Sequence, residues 1–182
     1  NIHLAVGYAH YALQEYQAAL TAWEKAAELA PTDPVMIVSR GTGYWRMGTL
    51  PSCSSSSATD EQKAQSVEYL NQAISDINLA LELNPADAFT YRTRAQIEFI
   101  LSFCASQGFD SVTQLEKAVN SYSEAVLLEP ENDLYLIFRG RIGYLWARGL
   151  FLQGAQNDTQ AREVLDQVIA DIHAACDIDC SD

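Results

Sequence analysis

Positive charge is scarce in this chain of 182 residues, in which 11 lysines and arginines stand against 24 aspartates and glutamates. Contacts to nucleic-acid phosphates require lysine and arginine in excess, so the formal net charge of −13 argues against a nucleic-acid partner. Long apolar runs are also missing, since even the apolar stretch 134–152 is interrupted by three arginines. A bilayer-spanning helix needs about 20 apolar residues, and the sequence therefore predicts no membrane span.

Signatures of catalysis are missing as well. The three histidines, His3, His10 and His173, are far apart in the sequence, and none belongs to a recognised catalytic spacing. The serine-rich stretch 52–60 lacks the glycine-bounded nucleophile of hydrolases, and the chain has no glycine-rich phosphate loop. The sequence therefore predicts no catalytic residues, no cofactor and no enzyme activity.

What the chain does contain is a recurring phrase that ends in proline: AELAP at 27–31, LELNP at 81–85 and VLLEP at 126–130. Each phrase follows a run in which apolar residues advance by three and four, which indicates one buried face of an α-helix. Proline lacks an amide hydrogen and disfavours helical geometry in the residue before it. Each phrase is therefore expected to end one helix and to join it to the next.

Small residues recur at matching places in four successive units, where large side chains would keep two helices apart. They are Gly7, Ala19 and Ala26 in the first unit, Gly41, Ala73 and Ala80 in the second, Ala95, Ala118 and Ala125 in the third, and Gly140 and Ala175 in the fourth, with Val168 between them. The units span about 1–34, 35–87, 88–132 and 133–182. This frame resembles the tetratricopeptide repeat, a pair of antiparallel helices with small residues at their contact, and the resemblance covers nearly the whole chain.

The resemblance implies an all-α fold: a right-handed α-solenoid of four antiparallel helix hairpins, with about eight helices, in a single domain over residues 1–182. Units two to four carry extra residues between their two helices, and the predicted loops lie at 48–59, 106–111 and 154–158. Because these insertions fall at the same place in each unit, they are expected to gather along one rim.

The arginines are concentrated in the first helices of units two to four, which hold seven of them against a single acid, Glu98, whereas the second helices are acidic. In the tetratricopeptide family the first helices line the concave face, so the resemblance implies a comparatively basic groove. Family geometry implies that this peptide-binding groove is lined by Tyr8, Tyr11, Trp45, Arg46, Arg92, Gln96, Phe99 and Arg141. Aromatic rings and guanidinium groups suit an extended peptide that carries carboxylates.

Three other arginines have a structural interpretation. Arg40, Arg94 and Arg139 each precede the small residue of the helix contact. They are expected to form ion pairs with acids of neighbouring helices, rather than to bind a partner.

One specialisation of the family binds the C-terminal carboxylates of chaperone tails through a clamp of lysine and asparagine side chains. Near the expected positions this sequence has Leu4, Tyr8, Ser39 and Phe89. The clamp does not carry over to these residues, so chaperone-tail binding is not predicted, while another acidic segment remains a candidate partner.

The four cysteines fall into two groups. Cys53 and Cys104 follow the first helices of adjacent units, at the inserted rim, and are the candidates for a disulfide bond. Cys176 and Cys180 share a helical face with His173 and could offer three zinc ligands, but a fourth ligand is missing, and a buried stripe without metal is the preferred interpretation. The cysteines, the three lysines and an N-x-T triplet at Asn157 favour an extracytoplasmic over a cytoplasmic location, a question that the sequence leaves open.

Two hypotheses of function follow. The first is a non-catalytic scaffold for protein–protein interaction, whose concave groove binds an extended and acidic or carboxylate-bearing segment of a partner. The second is a structural role in which the ends of the solenoid, lacking polar caps, stack head to tail into a homo-oligomer.

Overall fold

The computed structural model of the chain describes residues 1–49, 53, 55 and 57–179. Over these residues it contains eight α-helices and no β-strand. The helices are α1 (Ile2–Ala12), α2 (Tyr16–Leu29), α3 (Pro34–Gly48), α4 (Asp60–Leu83), α5 (Ala88–Leu101), α6 (Ser111–Leu128), α7 (Asp133–Gln153) and α8 (Asp158–Asp179), with short 3-10 helices at Ala105–Gln107 and Ala155–Asn157. The predicted all-α helical-repeat fold is confirmed.

The three proline phrases end helices as predicted. The helices α2, α4 and α6 stop two residues before Pro31, Pro85 and Pro130. The residues directly before these prolines have φ angles of −143°, −141° and −134°, outside the helical region. This geometry follows from the steric clash between a proline ring and the preceding residue.

Polar side chains define where several helices begin. The Asn1 side chain accepts from the His3 amide at the start of α1. At the start of α4, Thr59 accepts from the Gln62 amide while the Gln62 side chain accepts from the Thr59 amide, a reciprocal capping box. Such caps satisfy amides that have no partner inside the helix and stabilise it by about 1 kcal/mol.

The chain divides into two compact units, residues 1–93 and 94–182, so that the boundary falls within α5. In the first unit α3 packs against both α2 and α4, and α1 packs against α2. Trp23 is the central side chain: it is fully buried, and its indole nitrogen donates to the Leu4 carbonyl oxygen at 3.3 Å. A Cβ atom on Gly7 would lie 2.3 Å from the Trp23 Nε1, so α1 reaches its position on α2 because residue 7 has no side chain.

The second unit has its own core. Here α7 packs against α6 and α8, and Phe138 of α7 stacks on the buried Tyr122 of α6 with ring centroids 6.0 Å apart. The division into four repeats and the description of residues 1–182 as one domain remain predictions.

Arg40 and Arg139 join the two helices of their hairpins, as the sequence predicted. Arg40 of α3 donates two hydrogen bonds to Asp76 of α4, at 2.8 and 2.6 Å, and this pairing raises the pKa of Arg40. Arg139 of α7 donates to Asp171 of α8 at 2.9 and 2.6 Å. Both aspartates are buried, so each depends on its arginine for charge compensation.

Arg94 differs from these two. Its Nε donates to the Ser121 hydroxyl of α6 at 2.9 Å and lies 3.9 Å from the carboxylate of Glu98 on its own helix. Ser121 donates in turn to Glu98 at 2.6 Å. Ser121 therefore links Arg94 and Glu98 of α5 to α6, and the pairing of Arg94 with an acid of a neighbouring helix stays a prediction.

Candidate functional site

Three aromatic side chains of α1, α2 and α3 surround one guanidinium group. The Arg46 Nε donates to the Tyr11 hydroxyl at 2.7 Å. Its guanidinium carbon lies 4.5 Å from the ring centroid of Trp45, 5.4 Å from that of Tyr11 and 5.9 Å from that of Tyr16. We call these residues, Tyr11, Tyr16, Trp45 and Arg46, the Arg46 cluster. Stacking on aromatic faces favours a cation and fixes its orientation.

The position of the Arg46 cluster follows from helix spacing and from the core beneath it. Tyr8 and Tyr11 lie three residues apart on α1, and both rings contact the buried Trp23, with centroid distances of 5.3 and 5.6 Å. Tyr11 also meets Tyr16 edge to face at 5.5 Å. Trp23 thus serves as a rigid support for two of the predicted groove residues.

Tyr8 extends this surface and is half exposed. Its hydroxyl lies 3.0 Å from the Ser39 hydroxyl of α3. Because the Ser39 hydroxyl donates to the Val35 carbonyl oxygen at 2.8 Å, Tyr8 is the donor to Ser39. The structure therefore brings Tyr11, Trp45 and Arg46 together across α1 and α3, and Tyr8 shares with Tyr11 a contact to Trp23.

Arg92 and Arg141 each pair with a ring on their own helix. The guanidinium carbon of Arg92 lies 4.7 Å from the ring centroid of Phe89, and that of Arg141 lies 5.8 Å from that of Phe138. Sequence reasoning missed these two phenylalanines as well as Tyr16. The signal was present, since Phe89 and Phe138 each precede the arginine by three residues, a spacing that places both side chains on one helix face.

The other two predicted residues, Gln96 and Phe99, lie in the second unit on α5. Phe99 meets Phe103 edge to face, with ring centroids 5.0 Å apart, and Phe103 is half exposed. Arg141, on α7 of the same unit, is exposed.

The predicted residues carry several polar atoms that lack a partner. Among the described residues, the buried Trp45 Nε1, Arg92 Nε and Gln96 Oε1 form no hydrogen bond. The same part of the chain shows no ion pair of Arg46, Arg92 or Arg141 with a carboxylate. Arg40 and Arg139, by contrast, each form an ion pair with an aspartate.

A separate cleft of about 270 Å³ lies in the second unit, between α7 and α8. Its lining includes Arg139, Trp146, Glu163 and Asp171. None of the eight predicted groove residues lines it. Since the Arg139 guanidinium is already engaged by Asp171, the cleft is a weaker candidate for binding an anionic segment.

The cysteines and metal candidates can be placed in part. Cys53 and Cys104 are both buried, and each is disulfide-bonded; their pairing with each other remains a prediction. Cys176 is a free and exposed thiol, and Cys180 lies outside the described residues.

No group of three or more metal-ligating side chains occurs within the described part of the chain, and no helix there is long and apolar enough to cross a bilayer.

Comparison with known proteins identifies the fold. A sequence model described as the tetratricopeptide repeat matches residues 1–33. No curated protein sequence matches the chain significantly.

Three solved structures of tetratricopeptide-repeat type resemble the chain. The first repeat domain of RPAP3, also called Spaghetti, bound to the HSP90 peptide SRMEEVD, is 22% identical over 80% of this chain and 91% of that one, with a TM-score of 0.60. A thermophilic repeat protein of Thermus thermophilus is 20% identical over 98% and 80%, with a TM-score of 0.61. MamA of Desulfovibrio magneticus RS-1 is 19% identical over 94% and 75%, with a TM-score of 0.59.

At these identities the structures establish the fold, and the match at 1–33 supplies the sequence signature in the hairpin that contains Gly7 and Trp23. Residues 1–33 therefore match the tetratricopeptide repeat by sequence, and the chain shares the all-α helical-repeat fold of these structures.

Proposed function

We propose that this protein is a non-catalytic interaction module that binds an extended, carboxylate-bearing segment of a partner protein. The proposed binding residues are Tyr8, Tyr11, Trp45, Arg46 and Arg92 in the first unit, and Gln96, Phe99 and Arg141 in the second. The observation that carries the proposal is the difference between two sets of arginines. Arg40 and Arg139 are bound by aspartates, whereas Arg46, Arg92 and Arg141 lie against aromatic rings and have no ion pair among the described residues.

The Arg46 cluster explains how such an arginine can receive a ligand. Its Nε is engaged by Tyr11, and the ring of Trp45 supports the plane of the guanidinium. The two terminal nitrogens remain available for a carboxylate, which binds guanidinium groups with two parallel hydrogen bonds. Because stacking already restricts the side chain, less conformational entropy is lost when a ligand binds.

The unpartnered polar atoms support the same surface. A buried donor or acceptor without a hydrogen bond is rare and costs about 1–3 kcal/mol. Trp45 and Arg92 each present such a donor, and Gln96 an acceptor. The backbone of an extended segment offers both carbonyl oxygens and amides, which are the groups that such donors and acceptors require.

The likeness to known structures supports the class of partner. The RPAP3 domain, which shares this fold, is bound to a peptide with the sequence SRMEEVD, which contains carboxylates. In the present chain Leu4, Tyr8, Ser39 and Phe89 stand near the positions where the family's lysine and asparagine clamp is expected. We therefore expect a carboxylate-bearing segment that is read by arginine and aromatic side chains, and not a chaperone tail.

The proposal can be tested by selecting binders from a displayed library of random peptides. The affinity of each selected peptide is then measured by titration with fluorescence anisotropy. We expect enrichment of aspartate and glutamate among selected peptides. The substitutions Arg46→Ala and Arg141→Ala should each weaken binding by about tenfold to 100-fold, because a hydrogen bond to a charged group contributes about 1.5–3 kcal/mol.

The matched control is Arg148→Ala, since Arg148 is also exposed on α7 but lies outside the proposed surface. Its affinity should equal that of the wild type. Selected peptides without acidic enrichment, or equal losses in all three variants, would show that these arginines do not read carboxylates.

A further inference from the structure

The cleft of about 270 Å³ in the second unit has a mostly apolar surface. We call it the α7–α8 cleft and define it by Gly143 and Trp146 of α7 and by Glu163, Val164 and Val168 of α8. The helices around it, α6, α7 and α8, are consecutive in the chain and belong to the same unit. An engineered apolar cavity of about 150 Å³ binds benzene. The α7–α8 cleft is therefore large enough for one aromatic ring with a short substituent.

The hairpin α3–α4 of the first unit is equivalent in sequence to the hairpin α7–α8. Four residues of α4 recur in α8 at the same spacing: Gln65, Glu68, Gln72 and Asp76 match Gln160, Glu163, Gln167 and Asp171. The pair Arg40–Gly41 of α3 likewise matches Arg139–Gly140 of α7. In this register Tyr44 of α3 corresponds to Gly143, and Tyr69 of α4 corresponds to Val164.

In the first hairpin this position is filled by a phenol ring. Tyr44 stacks on Tyr69 with ring centroids 6.3 Å apart, and its hydroxyl donates to Glu24 of α2 at 2.8 Å. Burial, and to a lesser extent the hydrogen bond to Glu24, raises the pKa of Tyr44 to about 12. The ring is therefore a neutral phenol held between α2 and α4.

In the second hairpin neither ring is present. A Cβ atom at Gly143 would lie 3.0 Å from Val168 and 3.7 Å from Val164, both of which line the α7–α8 cleft. A side chain at position 143 would therefore point at the wall of the cleft. The cleft thus lies where the first hairpin places the ring of Tyr44.

We infer that the α7–α8 cleft binds a small phenol, a free molecule with one aromatic ring and a hydroxyl group, in the place that Tyr44 takes in the first hairpin. Trp146 is 8% exposed, and its buried Nε1 has no hydrogen-bond partner among the described residues. In the same part of the chain Glu163 forms no ion pair. A hydroxyl group both donates and accepts, so its chemistry matches an indole N–H and a carboxylate. This site goes beyond the proposed binding of a partner segment and uses none of those residues.

The charges of the lining determine which phenols are favoured. Arg139 and Asp171 compensate each other as an ion pair, whereas Glu163 leaves one negative charge at an exposed position of the cleft. This charge attracts a ligand ammonium group and repels a ligand carboxylate. We therefore expect neutral and cationic phenols to bind more tightly than anionic ones.

Heteronuclear NMR of the isotope-labelled protein, titrated with p-cresol, tests the inference, because p-cresol is the tyrosine side chain as a free molecule. The chain has three tryptophans, and of these Trp146 lines the cleft. Its indole N–H signal, assigned with Trp146→Phe, should shift until it saturates, while the signals of Trp23 and Trp45 should not. For so small a ligand we expect a Kd on the order of 1 mM.

Two charged phenols test the role of Glu163. Tyramine, which carries an ammonium group, should bind about threefold to tenfold more tightly than para-hydroxyphenylacetate, which carries a carboxylate. The substitution Glu163→Gln removes the charge at an exposed position and should bring the two affinities close together. An unchanged ratio in this variant would show that Glu163 does not face the ligand.

A variant that fills the cleft is the decisive measurement. Gly143→Tyr combined with Val168→Ala introduces the side chain of Tyr44 together with the small residue found at the equivalent position of α4, Ala73. This double variant should bind p-cresol at least about tenfold more weakly, because its own ring takes the place of the ligand. The matched control is Gly140→Ala, which adds a side chain to the same helix outside the cleft and should not change the affinity. Circular dichroism establishes that each variant is folded.

Four results would overturn the inference. If the Trp146 signal does not shift up to the solubility limit of p-cresol, the cleft binds no phenol. Equal affinity in the folded double variant would place the phenol elsewhere on the protein. Equal affinity for toluene would show that the hydroxyl group is not recognised. Equal affinity for N-acetyltyrosine amide would assign the cleft to a tyrosine side chain of a partner protein instead of a free molecule.

Discussion

Asp171 accepts two hydrogen bonds from the guanidinium of Arg139, at 2.9 and 2.6 Å, in a position where the aspartate is 1% exposed. Gln167 donates a third hydrogen bond to the same carboxylate at 2.8 Å. The carboxylate is therefore fully paired, and the pair connects α7 to α8 inside the second unit.

We expect Arg139→Ala to lower the free energy of unfolding by about 3–5 kcal/mol, because it leaves a buried carboxylate without its counter-charge. Urea denaturation measures this change. The double variant Arg139→Met with Asp171→Leu removes both charges and should recover much of the loss, since apolar replacements of buried ion pairs are often neutral. A double variant as unstable as the single one would contradict this account.

Gly7 and Gly140 occupy equivalent positions in the repeat frame but have different surroundings. A Cβ atom at Gly7 would lie 2.3 Å from the fully buried Trp23, whereas at Gly140 the nearest atom would be 3.6 Å away, on Asp171. We expect Gly7→Ala to destabilise the fold by about 1–3 kcal/mol through overpacking. Gly140→Ala should be neutral or stabilising by up to about 1 kcal/mol, because alanine favours the helix. Chemical denaturation of both variants measures the contrast, and equal effects would argue against it.

The stability of the second unit should depend on the ionisation of Glu98. Burial raises the pKa of Glu98 above its ordinary value of 4.5, and the hydrogen bond from Ser121 and the charge of Arg94 oppose this rise. The folded state therefore keeps the proton to higher pH than the unfolded chain does. The resulting contribution to stability is complete below the unfolded pKa and is lost as pH rises through the folded pKa.

We expect the wild type to lose stability relative to Glu98→Gln as pH rises above 4.5. Urea denaturation of both proteins at several pH values measures the difference. Ser121→Ala removes a hydrogen bond that lowers the pKa of Glu98, so it should move the loss to higher pH. Parallel stability curves for the wild type and the glutamine variant would contradict this prediction.

The predicted disulfide bond joins Cys53 to Cys104. Peptide mass spectrometry of unreduced protein should find one cross-linked peptide that contains both residues. Reduction should lower the free energy of unfolding by about 2–4 kcal/mol, the range typical of a natural disulfide. A cross-link from either residue to Cys176 or Cys180 would show that the pairing is wrong.

Much of the fold could be predicted because the sequence marks its helix ends locally. Pro31, Pro85 and Pro130 end three helices through their own covalent geometry, and Thr59 begins another through a cap formed with Gln62. The sequence predicted that Arg40 pairs with an acid of a neighbouring helix, because an arginine next to a helix contact lies within reach of that helix. It did not identify Asp76 as the acid.

The site could be predicted less completely. The resemblance to the tetratricopeptide repeat implied that Tyr11 lines a groove, but the contact between Tyr11 and Arg46 depends on how closely α1 and α3 both pack on α2. The role of Ser121 in holding Arg94 and Glu98 could not be read from the sequence, because the local pattern favoured a carboxylate on another helix. Such choices between polar partners are decided by distances of a few ångströms in the packed structure.

The residues of the pairs Arg40–Asp76 and Arg139–Asp171 are 36 and 32 positions apart in the sequence. Each pair nevertheless forms a bidentate contact with nearly the same hydrogen-bond lengths. The segment that joins the two helices of a hairpin therefore acts as a spacer whose length does not alter the contact. Foreign peptides or labels grafted into the connection between α7 and α8 should be tolerated, so this connection is suited to anchoring or visualising the protein.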